Sequence, residues 1–210
     1  MRLVQKLTVG VASLLAPVLL SAPATAAAII GGGTSVKLTA APTLTGLGLS
    51  FATFGSASAT ADAMGIPTAT FLITGGSIND ATGTARIEHN GSGLNFTGGG
   101  KALSIGDFLI NTSTNILTGQ VKIGTTTLNN VPLFTIGTGL SLSLTADAAG
   151  AFTAVFGAPD LTGAAIGTAA VNLVSVPVPE PATWGMLIVG FGAVGVALRT
   201  RRRQLIAQTC

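Results

Sequence analysis

Thr84-Ala85-Arg86-Ile87-Glu88-His89 alternates polar and non-polar side chains. Successive strand residues point to opposite faces, so Ala85 and Ile87 share an inward face and Arg86 and Glu88 face outward. The same period continues on both sides. Ala69–Thr74 is a more continuously apolar run, and Leu94–Thr97, Ala102–Ile105, Phe108–Asn111, Ile116–Ile123, Val131–Ile136 and Leu140–Thr145 follow at short intervals. Gly91, Gly93, Gly98-Gly99-Gly100, Gly106, Gly124, Asn129-Asn130 and Gly137-Thr138-Gly139 punctuate them. Short strands spaced by turn residues predict a mainly β chain, folded as a single β-sandwich-like or up-and-down sheet domain.

One short helix interrupts the series, over Ala146–Phe156. Thr145 or Asp147 can cap it, Ala148, Phe152, Val155 and Phe156 share a face, and Gly157 and Pro159 end it. Thr168–Val176 reads as a closing strand. Ile30–Ala61 is less patterned; it suggests a strand over Leu44–Phe54 and a small-residue loop over Ser56–Ala63. No repeat of fixed period is present.

The two ends differ from this middle. Arg2 and Lys6 precede an apolar run, Leu7–Leu20, and Ser21-Ala22-Pro23-Ala24-Thr25-Ala26 supplies small residues in A-x-A order. That is the pattern of a secretory signal helix over residues 1–26, read by the secretory translocon and cut by signal peptidase after Ala26, or nearby at Ala24 or Ala28. At the other end, Pro179-Glu180-Pro181 is followed by Trp184, an uncharged run to Leu198, and Arg199, Arg201, Arg202 and Arg203. The prolines favour an extended, exposed linker before the helix. A helix over Ala182–Leu198 is roughly 25 Å long, at the short end for a bilayer core of about 30 Å. Trp184 suits one membrane interface, and arginines snorkel toward the other and hold it on the cytoplasmic side. The expected organisation is a signal peptide over 1–26, an exported domain over 27–176, and a tail over 177–210 with a transmembrane helix at 183–198.

The formal charge of +3 belongs to these ends. Between Ala27 and Val178 stand Lys37, Arg86, Lys101 and Lys122 against Asp62, Asp80, Glu88, Asp107, Asp147 and Asp160, a net −2. No basic patch remains for nucleic acid. The single cysteine, Cys210, lies in the tail, so the exported part has neither a disulfide nor a thiol nucleophile.

Catalytic patterns are sparse. Glu88 and His89 point to opposite faces of a strand and cannot cooperate, and His89 reads as a polar residue at a turn edge. Gly91-Ser92-Gly93 lacks the spacing of a nucleophile elbow. The acids show no calcium-loop spacing. Gly190-Phe191-Gly192-Ala193-Val194-Gly195 has the letters of a dinucleotide loop, but it sits inside the apolar tail run, where small residues serve helix packing. No enzyme, metal site or cofactor is expected. A glycosidase would require two of the acids in one cleft.

Pro179-Glu180-Pro181, Trp184, the apolar helix and the Arg-rich end resemble the PEP-CTERM sorting signal of Gram-negative bacteria, also catalogued as an ice-binding-protein C-terminal domain. The variant with Pro-Glu-Pro-x-x-Trp usually has Ala next; here it is Gly185. The resemblance covers about Val178–Arg203. It implies transient anchoring in the inner membrane, cleavage near Pro-Glu-Pro by an exosortase, and release or attachment at the cell surface, often alongside exopolysaccharide. Gly83–Val174 separately resembles β-rich haem-uptake domains of the HtaA type, without a motif specific enough to transfer residues. The chain has no Tyr, and its only His is His89. The functional expectation is therefore a secreted surface or exopolysaccharide-associated matrix protein. The alternatives are a small-ligand or carbohydrate-binding module and, behind it, an exported hydrolase.

Overall fold

The alternation at 84–89 belongs to a much longer strand. The computed structural model describes residues 26–177 and 181–207. In chain order these form β1 (Ala26–Lys37), α1 (Ala41–Gly46), β2 (Ser50–Gly55), β3 (Ser58–Ala61), β4 (Pro67–Leu72), β5 (Gly75–Asn79), β6 (Thr84–Gly98), β7 (Lys101–Asn111), β8 (Ile116–Ile123) and β9 (Thr126–Ile136). A 3₁₀ turn (Thr138–Leu140), β10 (Ser141–Leu144), α2 (Ala146–Phe156), β11 (Ala165–Pro177) and α3 (Pro181–Ala207) complete the chain.

From β5 to β11 each strand pairs antiparallel with the next, the expected up-and-down order. The β6–β7 hairpin shows the local cause. Gly99 and Gly100 both take positive φ (57° and 75°) between the paired Gly98 and Lys101, the two-residue turn that follows the natural twist of the strands. β1 closes the sheet. One edge pairs along Ala27–Lys37 with Thr168–Pro177 of β11, and Ala26–Ala28 on the other edge pairs with Ser77–Asn79 of β5. β1 and β5 through β11 thus form a ring. Beyond Gly33, β1 exchanges β5 for β4, β3 extends β4, and β2 pairs with Ser50↔Thr97 through Gly55↔Ser92 of β6.

The ring is filled from all sides. Ile29, Val36, Phe71, Ile87, Leu103, Ile105, Val121 and Leu133 are buried in one core. α2 is the helix expected, residue for residue. Thr145 Oγ1 accepts from the Ala148 N–H and donates to the Pro132 carbonyl at 2.7 Å, tying the cap to β9. Left-handed Gly157 ends the helix (φ 70°). Its buried face carries Ala148, Ala149, Phe152 and Val155, with Phe152 edge-on to Phe96 at 4.9 Å. Phe156 is only half-buried.

Several expectations change. β6 and β7 each join two segments read as separate strands, because Gly91, Gly93 and Gly106 mark bulges rather than turns. Asn129-Asn130 likewise lies inside β9. A second short helix, α1, occupies the start of the presumed Leu44–Phe54 strand, and β3 lies within the presumed 56–63 loop. Ala41 and Leu44 of α1 are buried, so packing decides where pattern did not. The predicted signal helix lies outside the described residues, and Ala26 opens β1.

Charge is unevenly distributed around the ring. Arg86, Glu88, Lys101, Asp107 and Lys122 sit on the adjacent strands β6, β7 and β8. β10, β11, β1, β4 and β3, on the other side, contain a single charged residue, Lys37. Lys37 Nζ is 2.9 Å from Asp62 in the β3–β4 turn. That contact, helped by the Ile66 and Met64 N–H groups, holds the Asp62 carboxyl below the usual range.

Candidate functional site

Three places are candidates for function: a polar groove on the outer face, a buried histidine, and the C-terminal helix.

The groove follows a line of register shifts. Between His89 and Gly93, β6 carries extra residues opposite Asp107 of β7, and β7–β8 and β8–β9 slip in turn near Gly119. Bulges bend a strand and redirect its side chains. Here they open a depression of about 460 Å³ lined by Glu88, Asn90, Asp107, Gln120, Asn129 and Asn130. Asp107 and Asn130 both take left-handed backbone (φ 49° and 56°), and Asp107 Oδ1 accepts from the Gly91 N–H at 2.7 Å. Gln120 Nε2 donates to Asn129 Oδ1 at 3.0 Å. Arg86 lies 3.6 Å from Glu88. The surface is one of amides and carboxylates, near neutral, with hydrogen-bond donors and acceptors interspersed. Two of the scattered acids, Glu88 and Asp107, therefore share a groove that the sequence did not reveal.

His89 is not at a turn edge. It is buried (1% exposed) on the inward face with Ile87, while Glu88 faces outward as expected. Its Nε2 lies 2.8 Å from Thr34 Oγ1 of β1, itself buried. Nδ1 makes no hydrogen bond of good geometry, nor does the Oγ of buried Ser92. Burial lowers the His89 pKa below its ordinary value, opposed by the nearby Phe108 backbone. Phe71 stands edge-on to both His89 and Phe108. These side chains border an apolar cavity of about 50 Å³. Ligand pockets usually measure about 300–1,000 Å³, so a haem-sized molecule does not fit this interior. Among the described residues no cluster of three or more His, Cys, Asp or Glu could hold a metal ion.

α3 begins at Pro181, a residue favoured in a first helical turn because its missing N–H has no partner there anyway. Trp184 is 59% exposed, and Met186, Ile188, Val189, Phe191, Val194 and Leu198 are exposed as well. Apolar side chains thus emerge around the whole helix rather than along one stripe. Arg199 is exposed, and Arg201, Arg202 and Arg203 occupy the final turns. The helix is longer than the expected span of 183–198 because it continues through the arginines. Pro179, Glu180 and the cleavage residue Ala24 lie outside the described residues.

Residues 177–203 match the family model described as the PEP-CTERM protein-sorting motif. The chain carries a PEP-CTERM tail. The motif implies an exported protein sorted to the cell surface, with an exosortase as its sorting partner. Among solved structures, the fold is similar to the C-terminal domain of HtaA from Corynebacterium glutamicum, at 15% identity and a TM-score of 0.50 over 71% of this chain and 99% of that one. That likeness is one of fold. No curated protein matches the chain. Among the described residues, no helix is long and apolar enough to cross a membrane. The PEP-CTERM helix itself has an uncharged run that stops at Leu198.

Proposed function

We propose that the protein is an exported, non-enzymatic surface or extracellular-matrix protein associated with exopolysaccharide. Its signal peptide is removed by signal peptidase in passing through the secretory translocon. Its PEP-CTERM helix holds it transiently in the inner membrane until an exosortase cuts near Pro179-Glu180-Pro181. The observation that carries this reading is a helix apolar on every face, ended by four arginines, within the matched sorting motif. Water does not accommodate such a helix, and nothing in its uncharged run gives it a polar face. Its shortness is met by Trp184 at one interface and by arginines whose stems lie along the apolar region while their heads reach water.

The intact mass of protein from the cell surface and medium, with and without the host's exosortase, tests this. Exosortase-dependent loss of the residues beyond Pro-Glu-Pro supports sorting; a mature form retaining Trp184–Cys210 overturns it. Replacing Pro179, Glu180 and Pro181 with alanine should leave a membrane-held precursor.

The groove favours carbohydrate as what the domain meets, since mixed amides and carboxylates suit a hydroxyl-rich polymer. Because Glu88 and Asp107 share it, the hydrolase reading has a specific test. Incubating the protein with its host's exopolysaccharide should produce no new reducing ends. If reducing ends appear and disappear in Glu88→Gln and Asp107→Asn, the protein is a glycosidase.

A further inference from the structure

We propose that, while the tail is inserted, the β4–β1–β11 face of the domain lies against the lipid surface and the groove points away from it. The proposal rests on the membrane reading of α3.

The chain's exit point sets the geometry. β11 runs to Pro177 and α3 begins at Pro181. Four residues span at most about 14 Å. The end of β11 is therefore tethered within that reach of the start of α3, about one helical turn before Trp184. β1 begins at the same place, because Ala27 pairs with Pro177.

The surface at that exit is apolar. Val174 and Val176 of β11 are 50% and 42% exposed, Ile30 at the β1 bulge is 60% exposed, and Leu72 of β4 is 52% exposed. They are neighbours by register: Val176 lies beside Ala28, Val174 beside Gly31, and Leu72 beside Gly33, which faces Asn172 across β1. The intervening β1 residues are small, and a Cβ at Gly31 would meet nothing within 4 Å. Four large apolar side chains therefore stand around a low centre, open to an occupant. The strands beneath contain one charge, Lys37, already paired with Asp62. Contiguous apolar patches exposed on a protein surface are often sites of contact with a partner or a membrane.

The far side of the ring is its opposite. Passing around the ring from β11, β7 is four strands away in either direction. β6, β7 and β8 carry the charged residues and the groove. An apolar side beside the tether, with only the paired Lys37 on its strands, and a charged, grooved side opposite it fix one orientation at a bilayer. The groove then faces outward, where a surface polymer would meet it.

The test uses the full chain with Cys210→Ser, reconstituted in phosphatidylethanolamine–phosphatidylglycerol vesicles containing brominated lipid. A bimane label is placed at Asn172→Cys, on the β11 outer face, or at Asn129→Cys, in the groove. Trp184, the only tryptophan, reports tail insertion independently. The expected result is quenching of Trp184 and of the label at 172, with at least threefold weaker quenching at 129. Adding Ile30→Asn, Val174→Asn and Val176→Asn should abolish the quenching at 172 and leave Trp184 quenched. If Trp184 is quenched but the labels at 172 and 129 respond alike, the orientation is wrong and the tail reading stands. Persistent quenching at 172 in the triple variant also overturns the apolar contact. If Trp184 is not quenched, the tail reading itself falls and takes the orientation with it.

Discussion

Removing the Thr34 hydroxyl by Thr34→Val keeps the shape of the side chain and takes away the 2.8 Å hydrogen-bond partner of His89 Nε2. Both residues are buried, at 2% and 1% exposure, and their contact of 2.8 Å joins β1 to β6 across the core. Nδ1 already lacks a well-formed hydrogen bond, so the variant leaves an imidazole with neither nitrogen paired. An orphaned buried polar group costs about 1–3 kcal/mol, and we expect Thr34→Val to lose about 2 kcal/mol. His89→Leu strands only a hydroxyl and also removes the unpartnered Nδ1, so it should lose about 1 kcal/mol. Together the two changes replace both polar groups by apolar ones in an apolar setting, and the double variant should lie within about 1 kcal/mol of the parent. The coupling is then at least about 2 kcal/mol. The ring closes within residues 27–177, so this segment is the one to unfold in urea. Tyr is absent from the chain and its Trp lies in the tail, so circular dichroism must be the probe. If Thr34→Val costs the same in the parent as in the His89→Leu background, to within about 0.5 kcal/mol, the two groups are not coupled and the reasoning fails.

Acid should weaken the domain through the same histidine. Its folded pKa is lowered by burial, so above about pH 6.5 it is neutral in both states; below that the unfolded chain takes up the proton first. Stability should fall by up to about 1.4 kcal/mol per pH unit as the pH drops below about 6.5, above the range in which Asp62 and Asp160 titrate, and His89→Leu should flatten this slope. At Gly32, φ is +114° and an added Cβ would stand 2.0 Å from the Asn172 carbonyl oxygen, so Gly32→Ala should cost at least about 3 kcal/mol in urea unfolding. Gly31→Ala, with open space around its Cβ, is the control and should change little. Phe152→Ala removes the aromatic anchor of α2 against Phe96 and should cost about 3–5 kcal/mol, with m unchanged if the ring stays intact.

What was legible in the sequence followed local rules. α2 was readable because cap, apolar face and terminating glycine all lie within the segment. β8 was readable because its period runs unbroken from Ile116 to Ile123. The tail was readable because an uncharged run between a proline-rich linker and arginines has few other uses. β1 escaped notice: Gly31-Gly32-Gly33 resembles a turn, and its strand character comes from neighbours on both edges. His89 was misplaced for a related reason. Asn90-Gly91-Ser92-Gly93 has turn composition but forms a bulge inside a continuous strand, which keeps His89 in the core. The groove had no local signature. It arises where register shifts on β6 to β9 line up, and only the tertiary arrangement brings Glu88, Asp107 and Asn130 together.

The pairing of Ala27 with Pro177 bears on timing. The first and last strands of the domain are neighbours, so the longest loop in the chain must close before the sheet has its final hydrogen bonds, and contacts of that separation form slowly. Until β11 arrives, β1 and β10 present unpaired edges that another chain could join. Completion awaits β11, which ends at Pro177, just before the tail helix begins at Pro181. Under the proposed sorting route, a protein emerging across a membrane would therefore remain an open sheet for nearly its entire passage and become a closed one as its tail follows. Tethering each molecule at that moment would separate it from its neighbours during the interval when its edges are most exposed.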